Sequence, residues 1–262
     1  MVLKTLLASV HDAEEIGALM FSVSTSPRLT LEFANCSKEE RQAWVTNGIR
    51  SELAACEACG EDACVLKVVE AQPGEKEIIV GFAIWVWSEK AYKSMDSSRV
   101  SNPLPQGVNL ALRQTFTSSM DKMEDNHRPK RDCYVLEQLA TSPSYQRRGI
   151  GSQLVKHGLE KADREGMVCY LSAAPMGVAV YRKLGFEEVG RMEIPLKKFG
   201  GSGTHAHVAM VRKPKIDKAE ANGIIVGTLV GRMQIDDMER ESVLAPLQCY
   251  LAAPMGTPYM HR

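Results

Sequence analysis

The chain is predicted to be an α/β protein in which a sheet is covered by helices. Three observations carry this expectation. Short apolar runs of strand length recur along the chain, and the one within 77–87 (IIVGFAIWVW) is apolar on both faces, as a helix-covered strand requires. Longer segments with helix-start signals lie between these runs, among them Ser37 followed three residues later by Glu40. Near the middle, a strand, a tight glycine turn and a helix follow one another without interruption, from Cys133 to Glu165.

The elements follow in order. Residues 2–8 (VLKTLLA) read as a strand, with helix as the competitor for so short a run, and Asp12 opens a helix through about Ser24, with Glu14 and Glu15 in its first turn at the positive end. The Ser37–Glu40 capping box starts a second helix through about Ala55. Strands are expected near 64–70 and 77–87, then a polar loop or insertion over 88–106 that ends in Asn-Pro-Leu-Pro. A helix from Gly107 to Asn126 leads through the basic turn His127–Arg131 into a strand at 133–140, which Pro143 stops. The helix from Gly149 to about Glu165 carries Ile150, Leu154, Gly158 and Ala162 on one face, where the small residues allow close approach to a sheet. A strand at 167–172, a short helix from Pro175 to Leu184, and strands at 186–192 and 206–212 complete the pattern. Residues 1–213 are thus expected to form one domain, with 214–262 as a C-terminal appendage of uncertain order.

Composition sets limits on function. Lysine plus arginine and aspartate plus glutamate both number 32, so no strong overall field draws in nucleic acid or an acidic membrane. No uninterrupted apolar run has the length of a membrane span, and the first ten residues lack a secretory pattern. With seven cysteines, reduced thiols in a cytoplasmic setting (or the nucleus) are the simplest expectation. Cys56, Cys59 and Cys64 form a C-x2-C-x4-C group without a clear fourth ligand, so no metal is expected.

The turn Gln146-Arg147-Arg148-Gly149-Ile150-Gly151 carries the chemistry. The first amides of a helix have no intrahelical partner and sit at the positive end of its dipole, so they bind an anion. Gly149 and Gly151 keep side chains away from those amides, while Gln146, Arg147 and Arg148 add donors and charge. A Walker loop requires a lysine after Gly151, and a dinucleotide loop requires a third glycine where Leu154 stands; neither pattern is met.

The longer spacing does have a match. L-A-T-x-P-x-Y-Q-R-R-G-I-G-S at 139–152, followed by a helix, a strand and Y-R-K-L-G-F at 181–186, resembles the GNAT family of N-acetyltransferases. The family signature [Q/R]-x-x-G-x-[G/A] is met throughout from Gln146 to Gly151, and the specific match runs over 132–190. Residues 103–126 and the phrase EQLATSPSYQRRGIGSQLV look most like fungal-type members. The resemblance implies a GNAT fold: a mixed, mostly antiparallel sheet of six to seven strands, splayed around the cofactor and flanked by helices. It implies that the backbone of Leu139, Ala140 and Thr141 pairs with the pantetheine arm of acetyl-CoA. Gln146, Arg147, Arg148, Gly149, Ile150, Gly151 and Ser152 would then hold its pyrophosphate. The splay between this strand and 167–172 would admit the thioester, with Tyr181 near the sulfur. Many members carry an asparagine seven residues before this tyrosine; here the place is Ala174, which puts one cofactor contact in doubt.

The implied reaction moves an acetyl group from acetyl-CoA to a primary amine. An alkyl amine with a pKa of about 10.4 is neutral only about once in 2,500 molecules at pH 7, which costs roughly 4.6 kcal/mol, so a base is useful. Glu137, the only acid within its strand, is the candidate; it is expected on the same face as Val135 and Leu139, with a raised pKa from partial burial. Tyr181 is expected to donate a hydrogen bond to the developing thiolate rather than to serve as an obligatory acid. His157 reads as a helix-surface residue, Trp85 and Trp87 as core, and Cys133 and Cys169 as buried thiols without a histidine to activate them. His205 and His207 alternate on a strand within reach of the acceptor pocket. The acceptor, a small molecule or a protein amine, is set by loops at 22–36, 88–106 and 199–205 that have no readable chemical signature; a homodimer is left open. Two other classes compete: a non-catalytic GNAT-fold module that binds a CoA ester or a protein partner, and, more weakly, a dinucleotide oxidoreductase.

Overall fold

The computed structural model describes residues 2–71, 74, 76–100, 102–130 and 133–215. From 216 onward the expected appendage lies outside the described residues. Among the described residues, seven strands form one sheet: β1 (Val2–Leu7), β2 (Ala63–Ala71), β3 (Ile78–Val86), β4 (Tyr134–Thr141), β5 (Cys169–Ala173), β6 (Glu187–Pro195) and β7 (Thr204–Arg212). Their order is β1-β2-β3-β4-β5-β7-β6. Only β4 and β5 run parallel; every other neighbouring pair is antiparallel. The mixed, mostly antiparallel sheet expected from the sequence is the one observed.

Helices cover both faces. On one side lie α1 (Ala13–Val23), α2 (Pro27–Glu32), α3 (Lys38–Cys59), α4 (Glu89–Val100) and α5 (Leu110–His127). Their core with the sheet includes Ile16, Leu53, Ile84, Met95, Leu112, Val135 and Tyr170. On the other side lie α6 (Ile150–Arg164) and α7 (Val178–Lys183), around Trp85, Leu136, Leu154, Leu171 and Tyr181.

Local chemistry explains the elements. At the start of α3 the Glu40 amide donates to Ser37 Oγ at 3.1 Å, and the Ser37 amide donates to the Glu40 carboxylate at 3.0 Å. The helix runs to Cys59, past the expected end. The region 88–106, expected as a loop, contains α4: Ser88 Oγ accepts from the Ala91 amide at 3.1 Å, and Ala91 and Met95, one helical turn apart, are buried. Two apolar residues per two turns suffice for a helix resting on α3, where Met95 Sδ lies 3.4 Å from Cys56 Sγ, so a polar composition concealed it. Short α2 has no counterpart in the sequence reading; Pro27 opens it and Ser26 caps it. On α6, a Cβ at Gly158 would stand 2.2 Å from the Trp85 ring, which shows how closely this helix lies on β3. Trp85 and Trp87 are core, as expected.

Candidate active site

Strands β4 and β5 pair only over Tyr134–Leu136 and Cys169–Leu171. β5 then continues along β7 while β4 continues along β3, so the sheet opens between the two parallel strands beyond Leu136 and Leu171. Among the described residues, no strand along this edge takes up the backbone groups of the later β4 residues, which are open to pairing with something else.

β4 is irregular at the opening. Ile84 of β3 faces Gln138 but Trp85 faces Leu136, which leaves Glu137 as the extra residue of a bulge. The bulge breaks the alternation on which the sequence argument for Glu137 rested. Val135 packs on the α1–α5 side and Leu139 on the α6 side, so they do not share a face. Glu137 lies on the α1–α5 side. After burial itself, its charge is among the groups that push up the Tyr92 phenol, and it is felt at Cys56 and Tyr170 of the same core. Its neighbour Gln138 donates to Glu52 of α3 on that side too.

The glycine turn sits at the far end of β4. Arg147 (φ 61°) and Gly149 (φ 85°) are left-handed, a conformation that gathers successive amides into an anion-binding concavity. The Gln153 amide donates to the Gly149 carbonyl at 2.9 Å as the first helical bond, so the amides of Ile150, Gly151 and Ser152 lie ahead of it at the positive end of α6. A Cβ at Gly149 would meet nothing within 4 Å, so the space in front of the turn is open; one at Gly151 would lie 3.7 Å from Leu139 and Thr141. The structure therefore brings Leu139, Thr141 and the turn together. Gln146 Nε2 donates to the Thr141 carbonyl at 3.3 Å and ties the turn to the strand end. The Arg148 guanidinium stacks 4.7 Å from the Tyr145 ring, whose hydroxyl donates to Glu70 at 2.6 Å. Ile150 is 1% exposed and anchors the helix start, and Ala140 is buried, so each offers a ligand its backbone alone. This concavity suits a diphosphate.

Tyr181 is buried on the α6 side in the cluster that holds Leu136, Leu171 and Ala173, and its ring meets Phe186 edge-on at 5.9 Å. Burial pushes its phenol up to about 12, so it is a protonated donor at neutral pH. Glu137 and Tyr181 thus stand on opposite sides of the sheet. On the Glu137 side, Ser172, which follows the last β5 residue paired with β4, places its hydroxyl 3.1 Å from His207 Nδ1. His205 lies beside His207, and burial is the first cause that pushes both rings down to about 4. Ser172 was not singled out from the sequence, because the splay that gives it a role is a relation between two strands. Of the cysteines, Cys56 and Cys64 pack on opposite sides of the sheet, and burial pushes Cys56 and Cys169 to about 12 and Cys64 to about 11, so these thiols are packing residues.

The sheet is thus open between its two parallel strands, and the start of α6, with its unpaired amides, lies beyond the end of one of them. Residues 75–186 match the acetyltransferase (GNAT) family. Among solved structures, the chain is similar to a histone acetyltransferase HPA2-related acetyltransferase from Corynebacterium glutamicum, at 19% identity and a TM-score of 0.52, over 83% of this chain and 99% of that one. It is also similar to the PaiA N-acetyltransferase from Thermoplasma acidophilum in complex with coenzyme A (14% identity, TM-score 0.45, 81% and 99% covered). A third is the ribosomal-protein-S18-alanine N-acetyltransferase from Escherichia coli (15%, 0.43, 83% and 97%).

Proposed function

We propose that the protein transfers an acetyl group from acetyl-CoA to a primary amine by direct attack. The observation that carries this is the opening between β4 and β5, with the α6 start at one end and Glu137 and Tyr181 on its two sides. Acetyl-CoA supplies the thioester. The amides of Gly149, Ile150, Gly151 and Ser152, with Gln146, Arg147 and Arg148 around them, hold its pyrophosphate. The β4 backbone at Leu139, Ala140 and Thr141 takes the pantetheine amides as a further strand would. An amine arriving on the α1–α5 side loses its proton to Glu137, directly or through water, as the new C–N bond forms and the C–S bond breaks. On the other side Tyr181 donates a hydrogen bond to the departing thiolate. With the phenol near 12 and a thiol near 8.5, full proton transfer would cost roughly 5 kcal/mol, so Tyr181 stabilises the charge and keeps its proton. Membership of the fungal-type branch and a cytoplasmic place of action belong to this reading and rest on the sequence.

The test is to follow free thiol release from acetyl-CoA with a panel of amines and peptides. Turnover on any amine supports transfer. Tight CoA binding without turnover on any of them would point to a binding module, and thermal stabilisation by NAD but not by CoA would overturn the cofactor assignment.

A further inference from the structure

The α1–α5 side of the opening leads to a cluster that the transfer chemistry does not use. Phe116 of α5 lies 5.7 Å from the His207 ring, the residue that contacts Ser172, and 5.6 Å from His205. The Arg28 guanidinium of α2 stands 3.9 Å from the Phe116 centroid. A run of contacts thus joins the opening to Arg28 through two imidazoles and one phenyl ring. Ser172, His205, His207 and Phe116 are all partly exposed, so this run can be reached from solvent.

The charges at its far end do not balance. Arg28, 6% exposed, is ion-paired with fully buried Glu32, which also accepts from Arg113 at 3.0 Å. Arg41 adds a third guanidinium to the field at Arg28. Among the described residues, the field at Arg28 therefore comes from one carboxylate, Glu32, and two further guanidiniums, Arg113 and Arg41. Phe33, Trp44 and Phe116 cover the guanidinium faces, which fixes the arginines in place. Arg28 Nε and His205 Nε2 are both buried without a hydrogen-bond partner. The buried Arg28 N–H in this state is matched by an anionic acceptor, and His205 Nε2 adds a second donor in the tautomer that carries its proton there. The imidazoles, held neutral by burial first, neither repel an ammonium nor compete for the anion.

We infer that the acceptor amine carries a carboxylate, drawn to Arg28 and Arg113 across Phe116 and His205 while the amine points to the β4–β5 opening. This deepens the acetyl-transfer reading and rests on it. The experiment measures kcat/KM for matched pairs, long enough to span this run, in which only the carboxylate is removed: lysine, 6-aminohexanoate and 8-aminooctanoate against lysinamide, 6-aminohexanamide and 8-aminooctanamide. The acids are expected to be favoured by about 10- to 100-fold, mostly through KM, the range of a charge-assisted hydrogen bond. In Arg28→Met and Arg113→Met this preference collapses toward parity. The preference is a ratio taken on one protein sample, so partial unfolding cancels from it; if Arg28→Met does not fold, the more exposed Arg113→Met carries the test. Amides used as well as acids, no acid acetylated at all, or a preference that survives in the variants would overturn the inference. Calorimetry with CoA separates this from failure of the underlying reading: CoA binding with transfer to amides alone sinks only the carboxylate, whereas absence of CoA binding sinks acetyl transfer itself.

Discussion

Gly149 is the most informative position to perturb, because backbone and charge effects separate there. Its φ of 85° is one that other residues adopt at a cost of about 1–2 kcal/mol, and a Cβ meets nothing within 4 Å. Gly149→Ala is therefore expected to lower stability by about that amount, a Tm fall of roughly 2–8 °C, without steric damage. Gly149→Asp carries the same backbone strain and adds a negative charge beside the amides of Ile150 to Ser152. A phosphate charge about 5 Å away is opposed by roughly 1–3 kcal/mol at effective dielectrics between those of water and a protein surface. That corresponds to about a 5- to 150-fold weaker Kd, and the new carboxylate also competes for the same amides. Isothermal titration with CoA on the two variants, alongside thermal melts, measures both effects. Wild-type CoA affinity in a folded Gly149→Asp protein would refute the anion site at this turn.

Three further outcomes are expected. Tyr181→Phe should lower kcat about 10- to 100-fold with CoA affinity intact, since only a hydrogen bond to the leaving thiolate is lost; an unchanged kcat removes Tyr181 from the mechanism. Gly158→Ala places a Cβ 2.2 Å from the Trp85 ring, so α6 must lift from β3, and denaturant melts should show a loss of about 1–3 kcal/mol; unaltered stability would mean the packing is looser than described. The third concerns pH. His205 and His207 fall from 6.5 to about 4 on folding, so between those values the unfolded chain binds more protons and stability declines as pH drops. The decline is bounded at about 1.4 kcal/mol per pH unit per ring, is absent above pH 6.5, and is complete below about 4. Urea titrations should show the slope, and His205→Gln with His207→Gln should flatten it; identical slopes in both proteins would be the contrary result.

The glycine turn was legible in the sequence because its geometry is local. A helix start after a proline-stopped strand is written in about ten consecutive residues, and two glycines there announce an exposed amide cradle whatever surrounds it. Gly158 and Ala162 likewise announced a close helix–sheet contact, and Trp85 is the ring beneath it. α4 was missed because the residues it is described as burying, Ala91 and Met95, are too few to raise a helical period above a polar background.

The sequence by itself determined most of the elements (α2 and α4 apart), their order and the glycine turn before α6, since caps, periodicity and glycine geometry act over a few residues. Only the tertiary structure decided which side of the sheet each catalytic candidate occupies. Period-two counting assigned Glu137 to the face of both Val135 and Leu139, but a bulge against β3 turns the strand between them, and a bulge is a property of two strands in register. The cluster of Arg28, Glu32, Arg113, Phe116, His205 and His207 was beyond reach for the same reason. Its members come from α2, α5 and β7, and burial beside a shared charge exists only once those elements are packed.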